Sequence, residues 1–250
     1  MKWIDDWYPV ILDHSVLPQV PHLVEKRNGE FCVSFDFNPT VVADVCYCGY
    51  MPMGEILRTT PVLLIKSHRK RCVLDLQNLH ISRKLKRYGR GLTFHINRNF
   101  TDCLHRITHH HSQTWLIKPL RDAFTSLHRQ PMAGVSFHSI EVYDGQTLVA
   151  GEIGYTTGAI YSSLAGFHTR SGSGSVQLAL LGLVLAESQF AFWDLGMEVP
   201  YKTALGAHIV DRETFLHQWK INRNSLTPSW SVHRLDPQTV VEKLKRTSQP

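Results

Sequence analysis

No stretch of the 250-residue sequence approaches the run of roughly 20 apolar residues that a membrane-spanning helix needs. The opening MKWIDDWYPV carries Asp5 and Asp6 and no apolar segment, so no secretory leader is predicted. There are only five cysteines, an odd number, which predicts reduced thiols in a cytoplasmic protein rather than a disulfide framework. Cys46-x-Cys48 has no second pair at finger spacing, and His105 with His109-His110-His111 lacks partners, so no structural metal is predicted. Internal repeats are missing as well. Acidic residues are the scarcer charge, 21 against 27 lysines and arginines, which leaves a formal charge of +6 and favours an anionic partner such as nucleic acid.

With 43% apolar residues, the chain has enough material for a large core. Its most informative stretch runs from Gly151 to Ala207. Alternating runs at Glu152–Tyr155 and Ala159–Phe167, joined by Thr156-Thr157-Gly158, read as a hairpin. The glycine-rich loop His168–Ser175 follows, then Val176–Ala186, apolar nearly all round as a buried helix is. Phe190–Asp194 is a short strand ending on an acid. In Arg170-Ser-Gly172-Ser-Gly174-Ser the glycines let backbone approach a ligand, and unpaired amides at a helix start attract an anion. This order resembles the acyl-CoA N-acetyltransferase fold, whose glycine loop holds a pyrophosphate.

Charge is concentrated upstream. Between Arg58 and Arg106 stand twelve cations, opposed only by Asp75 and Asp102. Such a segment is expected to neutralise several phosphates in a salt-dependent way.

Elsewhere, residues 1–30 with Pro9, Pro18 and Pro21 read as an irregular arm. Phe31–Phe37 alternates as a strand. Asn38-Pro39 opens a helix that Gly49 closes, and residues 49–53 form a turn. Strands are predicted at Val62–Ile65, Cys72–Leu76 and Thr93–Asn97. Helices are predicted to start at Ser82–Tyr88 and to cover residues 101–111, Pro119–Arg129 and Arg212–Trp219. Asp144-Gly145 between the alternating runs Ser136–Tyr143 and Thr147–Tyr155 is the strongest hairpin signal. The polar tail is expected to end in a surface helix at Val240–Lys245.

Several motifs recur in a family-specific order: Leu79-His80-Ile81-Ser82-Arg83, Leu85-Lys86-Arg87, Thr114-Trp115-Leu116, Leu127-His128, Ser139–Val142, Trp193-Asp194, and Leu205-Gly206-Ala207 with Arg212. Together they resemble leucyl/phenylalanyl-tRNA–protein transferases over roughly residues 31–220. The resemblance implies an α/β fold with a small basic N-terminal domain (1–100), an acetyltransferase-like catalytic domain (101–226) and a polar tail (227–250). It implies a cytoplasmic enzyme of protein degradation by the N-end rule, taking no cofactor and acting as a monomer on aminoacyl-tRNA and an acceptor protein's N-terminus.

The same resemblance assigns roles. Asp194 is expected to meet the attacking amine, which a carboxylate at hydrogen-bond reach can orient and deprotonate. Tyr161, Leu178 and Trp193 are expected to line a pocket for the donor side chain. Arg71, Arg83, Lys84, Lys86 and Arg87 are expected to face the acceptor stem, and Arg170, Gly172 and Gly174 the terminal phosphates.

There are departures. Where the family has Asp-Cys-Gln, this chain has Asp194-Leu195-Gly196. Gly-Glu-Ser-Met-Phe becomes Ser163-Leu164-Ala165-Gly166-Phe167, so the site glutamate is Leu164. Trp-Trp-Ser-Pro-Asp-Pro-Arg keeps only Ser67 and Arg71. Amides near Gly196 or the hydroxyls of Ser162, Ser163 or Tyr201 are candidate replacements as oxyanion donors. Glu152 stands where the pattern is apolar. It either enters the donor pocket and favours a cationic amino acid, or turns outward or pairs with Arg170. An acyl-CoA-dependent N-acyltransferase and a non-catalytic tRNA-binding protein are the alternative readings.

Overall fold

The computed structural model describes residues 2–4, 8–26, 29–82, 84–110 and 115–237. Strands β1 (Lys2–Ile4), β2 (Tyr8–Val10), β3 (Phe31–Ser34), β4 (Met51–Leu57) and β5 (Thr60–Lys66) build one sheet in the order β1-β2-β3-β5-β4. A larger, eight-stranded sheet follows: β6 (Lys70–Leu74), β7 (Leu92–Ile96), β8 (Val135–Asp144), β9 (Thr147–Thr157), β10 (Ile160–His168), β11 (Phe192–Gly196), β12 (His208–Asp211) and β13 (Arg234–Leu235). Its order is β12-β6-β11-β10-β9-β8-β7-β13. Helices α1 (Val20–Glu25), α2 (Pro39–Tyr47), α3 (Leu85–Tyr88), α4 (Phe100–His110), α5 (Lys118–Arg129), α6 (Ser173–Glu187), α7 (Pro200–Ala204) and α8 (Arg212–Asn222) flank them. The protein is thus α/β, with the acetyltransferase-like order of antiparallel strands, glycine turn, helix and parallel strand.

The two sheets part between Lys66 and Lys70, so β6 and β7, from the segment read as N-terminal, are strands of the larger sheet. Residues 2–26 contain β1, β2 and α1 where the sequence reads as an irregular arm. The segment read as a turn at 49–53 opens β4 instead. A side chain at Gly54 would lie 2.8 Å from the Trp115 carbonyl, so the glycine there serves close packing and not chain reversal. Arg83, Thr114 and the tail helix expected at Val240–Lys245 lie outside the described residues.

Local signals hold elsewhere. The Asn38 side chain accepts from the Thr40 amide at 3.0 Å, Pro39 takes the first turn, and Gly49 ends the element at φ +84°. Gly145 turns β8 into β9 with φ +58°. Both faces of the central strands are buried. Phe137, Ile153, Tyr155, Ile160 and Phe192 pack under α2, α4, α5 and α8. Ile140, Ala150, Tyr161 and Trp193 pack under α6 on the other face.

What matters for the site is how β10 leaves its neighbour. It pairs with β11 in parallel only from Ile160 to Ser162, against Phe192 to Asp194. A bulge between Ser163 and Ala165 then breaks its register with β9 and bends it away. Beside the resulting gap, α6 starts after the left-handed turn at Gly172 (φ +81°).

Candidate active-site cavity

The gap is a cavity of about 740 Å³. Its floor is the β9–β10 face with Glu152, Ser163, Leu164 and Gly166. The glycine turn and the head of α6 form one wall, and α3 with Lys84 and Tyr88 borders it. Leu195, Tyr201, Lys202 and Leu205 close the far side. The amides of Gly174 and Ser175 head a fifteen-residue helix at this wall, where the dipole favours an anion. A side chain on Gly172 would lie 2.4 Å from the Tyr88 ring, so only glycine fits both the turn and the close approach.

Glu152 sits in a seat built for it. Tyr161 donates its hydroxyl to Glu152 Oε1 at 3.0 Å and Ser163 at 2.7 Å. Trp193 Nε1 donates to Ser163 Oγ at 2.9 Å, which turns the serine proton toward the carboxylate. A side chain at Gly154 would lie 2.4 Å from the Tyr161 hydroxyl, and one at Gly166 would lie 3.2 Å from Glu152 Cβ. Burial pushes the Glu152 carboxyl above its ordinary value, with the bonds from Ser163, Gln177 and Tyr161 opposing. Gln177 thus bears on the carboxyl electrostatically, although its buried Nε2 closes no hydrogen bond of good geometry.

A raised carboxyl pKa has a sign for stability. The folded state holds the Glu152 proton more tightly than the unfolded chain, so stability falls as pH rises from about 4.5 through the elevated value. Glu152→Gln removes that slope. Its melting temperature is expected to match the parent near pH 4 and to exceed it near pH 8. A difference independent of pH would contradict the assignment.

Asp194 is placed differently from the expectation. It is 0% exposed and is not among the residues that line the cavity. Its Oδ1 accepts from Arg71 Nε at 2.8 Å and the Gly196 amide at 2.9 Å. Its Oδ2 accepts from Arg71 Nη2 and Ser162 Oγ, both at 2.6 Å. Arg71 is therefore not an RNA-facing cation; at 2% exposure it neutralises Asp194. Its third nitrogen, Nη1, meets His68 Nδ1 at 2.5 Å. Gly196, at φ +75°, is buried beside Asp194 and offers the cavity no side chain.

The other expected residues divide. Leu164, Gly166, Leu178, Lys84, Gly172 and Gly174 line the cavity. Tyr161 and Trp193 are fully buried behind it, holding Glu152 and Ser163. Lys86 and Arg87 are exposed on α3, with the Arg87 guanidinium 4.7 Å over the Tyr88 ring. Arg170 pairs with Asp144 at 2.7 Å and with the Arg90 carbonyl, so it is not the partner of Glu152. Of the three candidate hydroxyls, Ser162 is spent on Asp194 and Ser163 on Glu152, whereas Tyr201 is exposed at the cavity.

Two contributors were not anticipated. Gln177 is the one polar side chain inside the apolar run Val176–Ala186, a signal present in the sequence. Lys202 lines the cavity while its Nζ donates to the carbonyls of Leu195 and Met197 at 2.5 and 2.8 Å. Burial draws its pKa down. No local sequence pattern announces it.

The leucyl/phenylalanyl-tRNA protein transferase family model matches residues 73–220, and the chain belongs to that family. A Shewanella piezotolerans leucyl/phenylalanyl-tRNA–protein transferase is 28% identical over 209 residues, covering 82% of this chain and 86% of its own. The Roseobacter denitrificans protein of the same name is 28% identical over 214 residues, covering 84% and 98%. Among solved structures, the C-terminal domain of a putative lysylphosphatidylglycerol synthetase from Agrobacterium fabrum is 15% identical with a TM-score of 0.42, covering 93% of this chain and 78% of that one. A GCN5-related N-acetyltransferase from Anabaena variabilis is 11% identical with a TM-score of 0.40, covering 78% and 47%.

Proposed function

We propose that this protein moves the aminoacyl group of a charged tRNA to the N-terminal amine of an acceptor protein, marking it for degradation, as a cytoplasmic monomer without a cofactor. One observation carries the reading: in a chain of this family, the cavity where β10 leaves β11 is closed at one end by the α6 head and edged by the α3 cation Lys84. The terminal phosphates of the tRNA lie toward Gly172–Ser175, and the acceptor stem lies along Lys84, Lys86 and Arg87. The acyl group lies over the floor of β10.

The ester is already activated, so the work is chiefly positioning. The amine nitrogen bonds to the ester carbonyl carbon, the bond to the ribose oxygen breaks, and the amine proton ends on that oxygen. Asp194 serves as a positioning residue. Its bonds to Arg71, Ser162 and the Gly196 amide fix the end of β11, from which Leu195 faces the cavity.

The test is incubation with a mixed pool of charged tRNAs and peptides varied at the first residue, read by mass spectrometry. The parent is expected to add one residue at the N-terminus in a ribonuclease-sensitive way. Gly172→Ala, which drives a methyl into the Tyr88 ring and strains a φ of +81°, is expected to lower transfer at least tenfold while costing about 1–3 kcal/mol of stability. The buried Asp194 and the absent family glutamine favour one competing reading, a tRNA-binding protein without catalysis. Tight tRNA binding with no transfer to any peptide would establish that reading instead.

A further inference from the structure

Among the described residues, Glu152 on the cavity floor has no ion-pair partner. Glu152 is 4% exposed, and both of its direct hydrogen bonds fall on Oε1. Oε2 receives none, although it belongs to a cavity-lining side chain. Beside it, the 5%-exposed Gln177 lines the same cavity and acts on the carboxyl, but its buried Nε2 closes no hydrogen bond of good geometry. The surrounding bonds suit an ionised carboxylate. Ser163, which takes the Trp193 proton, has its own proton free to give, and the Tyr161 hydroxyl points the same way. Buried charges are stable when paired, and buried polar groups when hydrogen-bonded. Of the two described lysines that line the cavity, Lys202 is held by two carbonyls and acts on Glu152 without an ion pair, and Lys84 stands across the cavity on the flank of α3. Arg170, the other sequence candidate, is held by Asp144. Among the described residues none forms an ion pair with Glu152, which leaves its open oxygen to a cationic group carried by the ligand.

We propose that Glu152 Oε2 receives the cationic side chain of the transferred amino acid, so that this protein's donor is lysyl- or arginyl-tRNA, with leucyl- and phenylalanyl-tRNA disfavoured. The inference rests on the aminoacyl-transfer reading above and names its substrate. Leu164, Val176, Leu178 and Ala179 line the same cavity and suit the methylene stem of such a side chain, which buries its chain along apolar surface with the charge at its end. The Gln177 amide is within the same recess to complete the recognition.

The experiment compares transfer from tRNAs charged with leucine, phenylalanine, lysine and arginine to one acceptor peptide, by the parent, Glu152→Gln and Glu152→Leu. Dissociation constants of non-hydrolysable 3′-aminoacylamino-adenosines carrying arginine or leucine give a second readout. The parent is expected to prefer a cationic donor. Glu152→Gln is expected to weaken transfer and analogue binding for lysine and arginine by about 10- to 100-fold, the scale of a lost charged hydrogen bond, with leucine unchanged. Glu152→Leu is expected to reverse the preference. Parent transfer of leucine that Glu152→Gln leaves untouched, with no cationic transfer, would overturn the inference and leave the aminoacyl-transfer reading standing. An equal loss for all four donors would overturn it too, by assigning Glu152 to the shared α-ammonium group. No transfer from any charged tRNA, with both variants folded, would instead remove the reading on which it rests.

Discussion

Replacing Arg71 with methionine is expected to cost about 3–5 kcal/mol of folding stability, the usual penalty for leaving a buried ion without its partner. In a chain of this size that lowers the melting temperature by roughly 10 °C. Asp194 would keep its bonds from Ser162 and the Gly196 amide but lose both guanidinium bonds in a site from which water is excluded. Asp194→Asn is expected to cost a similar amount, because the Arg71 charge then stands alone against the Phe215 ring and His68. Arg71→Met combined with Asp194→Asn is expected to cost less than the sum of the single changes, since it strands neither charge. Urea unfolding of the four proteins checks this. Single-variant losses under 1 kcal/mol, or strict additivity, would show that the pair is not coupled.

The second large effect comes from acid. His68 is buried, and its Nδ1 faces the Arg71 guanidinium, so its proton resides on Nε2, which has no partner. Burial, then Arg71, Lys66, Arg212 and Lys202, push its pKa down to about 2. The folded state therefore keeps the imidazole neutral while the unfolded chain protonates it below its ordinary 6.5. Stability is unaffected above that value and is lost as pH falls, by about 1.4 kcal/mol for each pH unit. Between pH 6.5 and 4.5 this one group is expected to remove about 2–3 kcal/mol. His68→Gln, which keeps an acceptor for Arg71 and cannot charge, is expected to flatten the decline by one proton. Parallel stability–pH curves for the two proteins would contradict it.

The first effect centres on residues whose sequence signal pointed elsewhere, and the second on His68, which no sequence pattern singled out. Arg71 lies within a dense run of cations, and a charge count alone does not separate solvated cations from buried ones. Its position at the start of the apolar Cys72-Val73-Leu74 was the available hint, because alternation turns one side of β6 inward. Periodicity, by contrast, carried the β8–β9 hairpin, α6 and the β11 strand, since their burial imposes the pattern directly. Glu152 was legible as a face: Glu152, Gly154 and Thr156 share one side of β9, and the two small partners, Gly154 and Gly166, make its seat. Asp194 was legible as an acid at a strand end but not as an interior one. Its partner is 123 positions away in sequence, and only the tertiary fold brings the two together.

The far end of the β9–β10 hairpin is pinned from outside the cavity. Gly158 fits so closely under the end of α8 that a methyl there would stand 2.2 Å from the Asn222 carbonyl, and the Ala159 amide bonds that same carbonyl at 3.1 Å. The hairpin is thus clamped at its tip like a beam built into masonry, with Glu152 partway along its length. Among the described residues, the two short helices that border the cavity, α3 and α7, four and five residues long, carry no such clamp from α8. If the proposed donor site is right, substitutions at Gly158 or Asn222 reach it through the backbone of the hairpin, from the opposite end to any ligand.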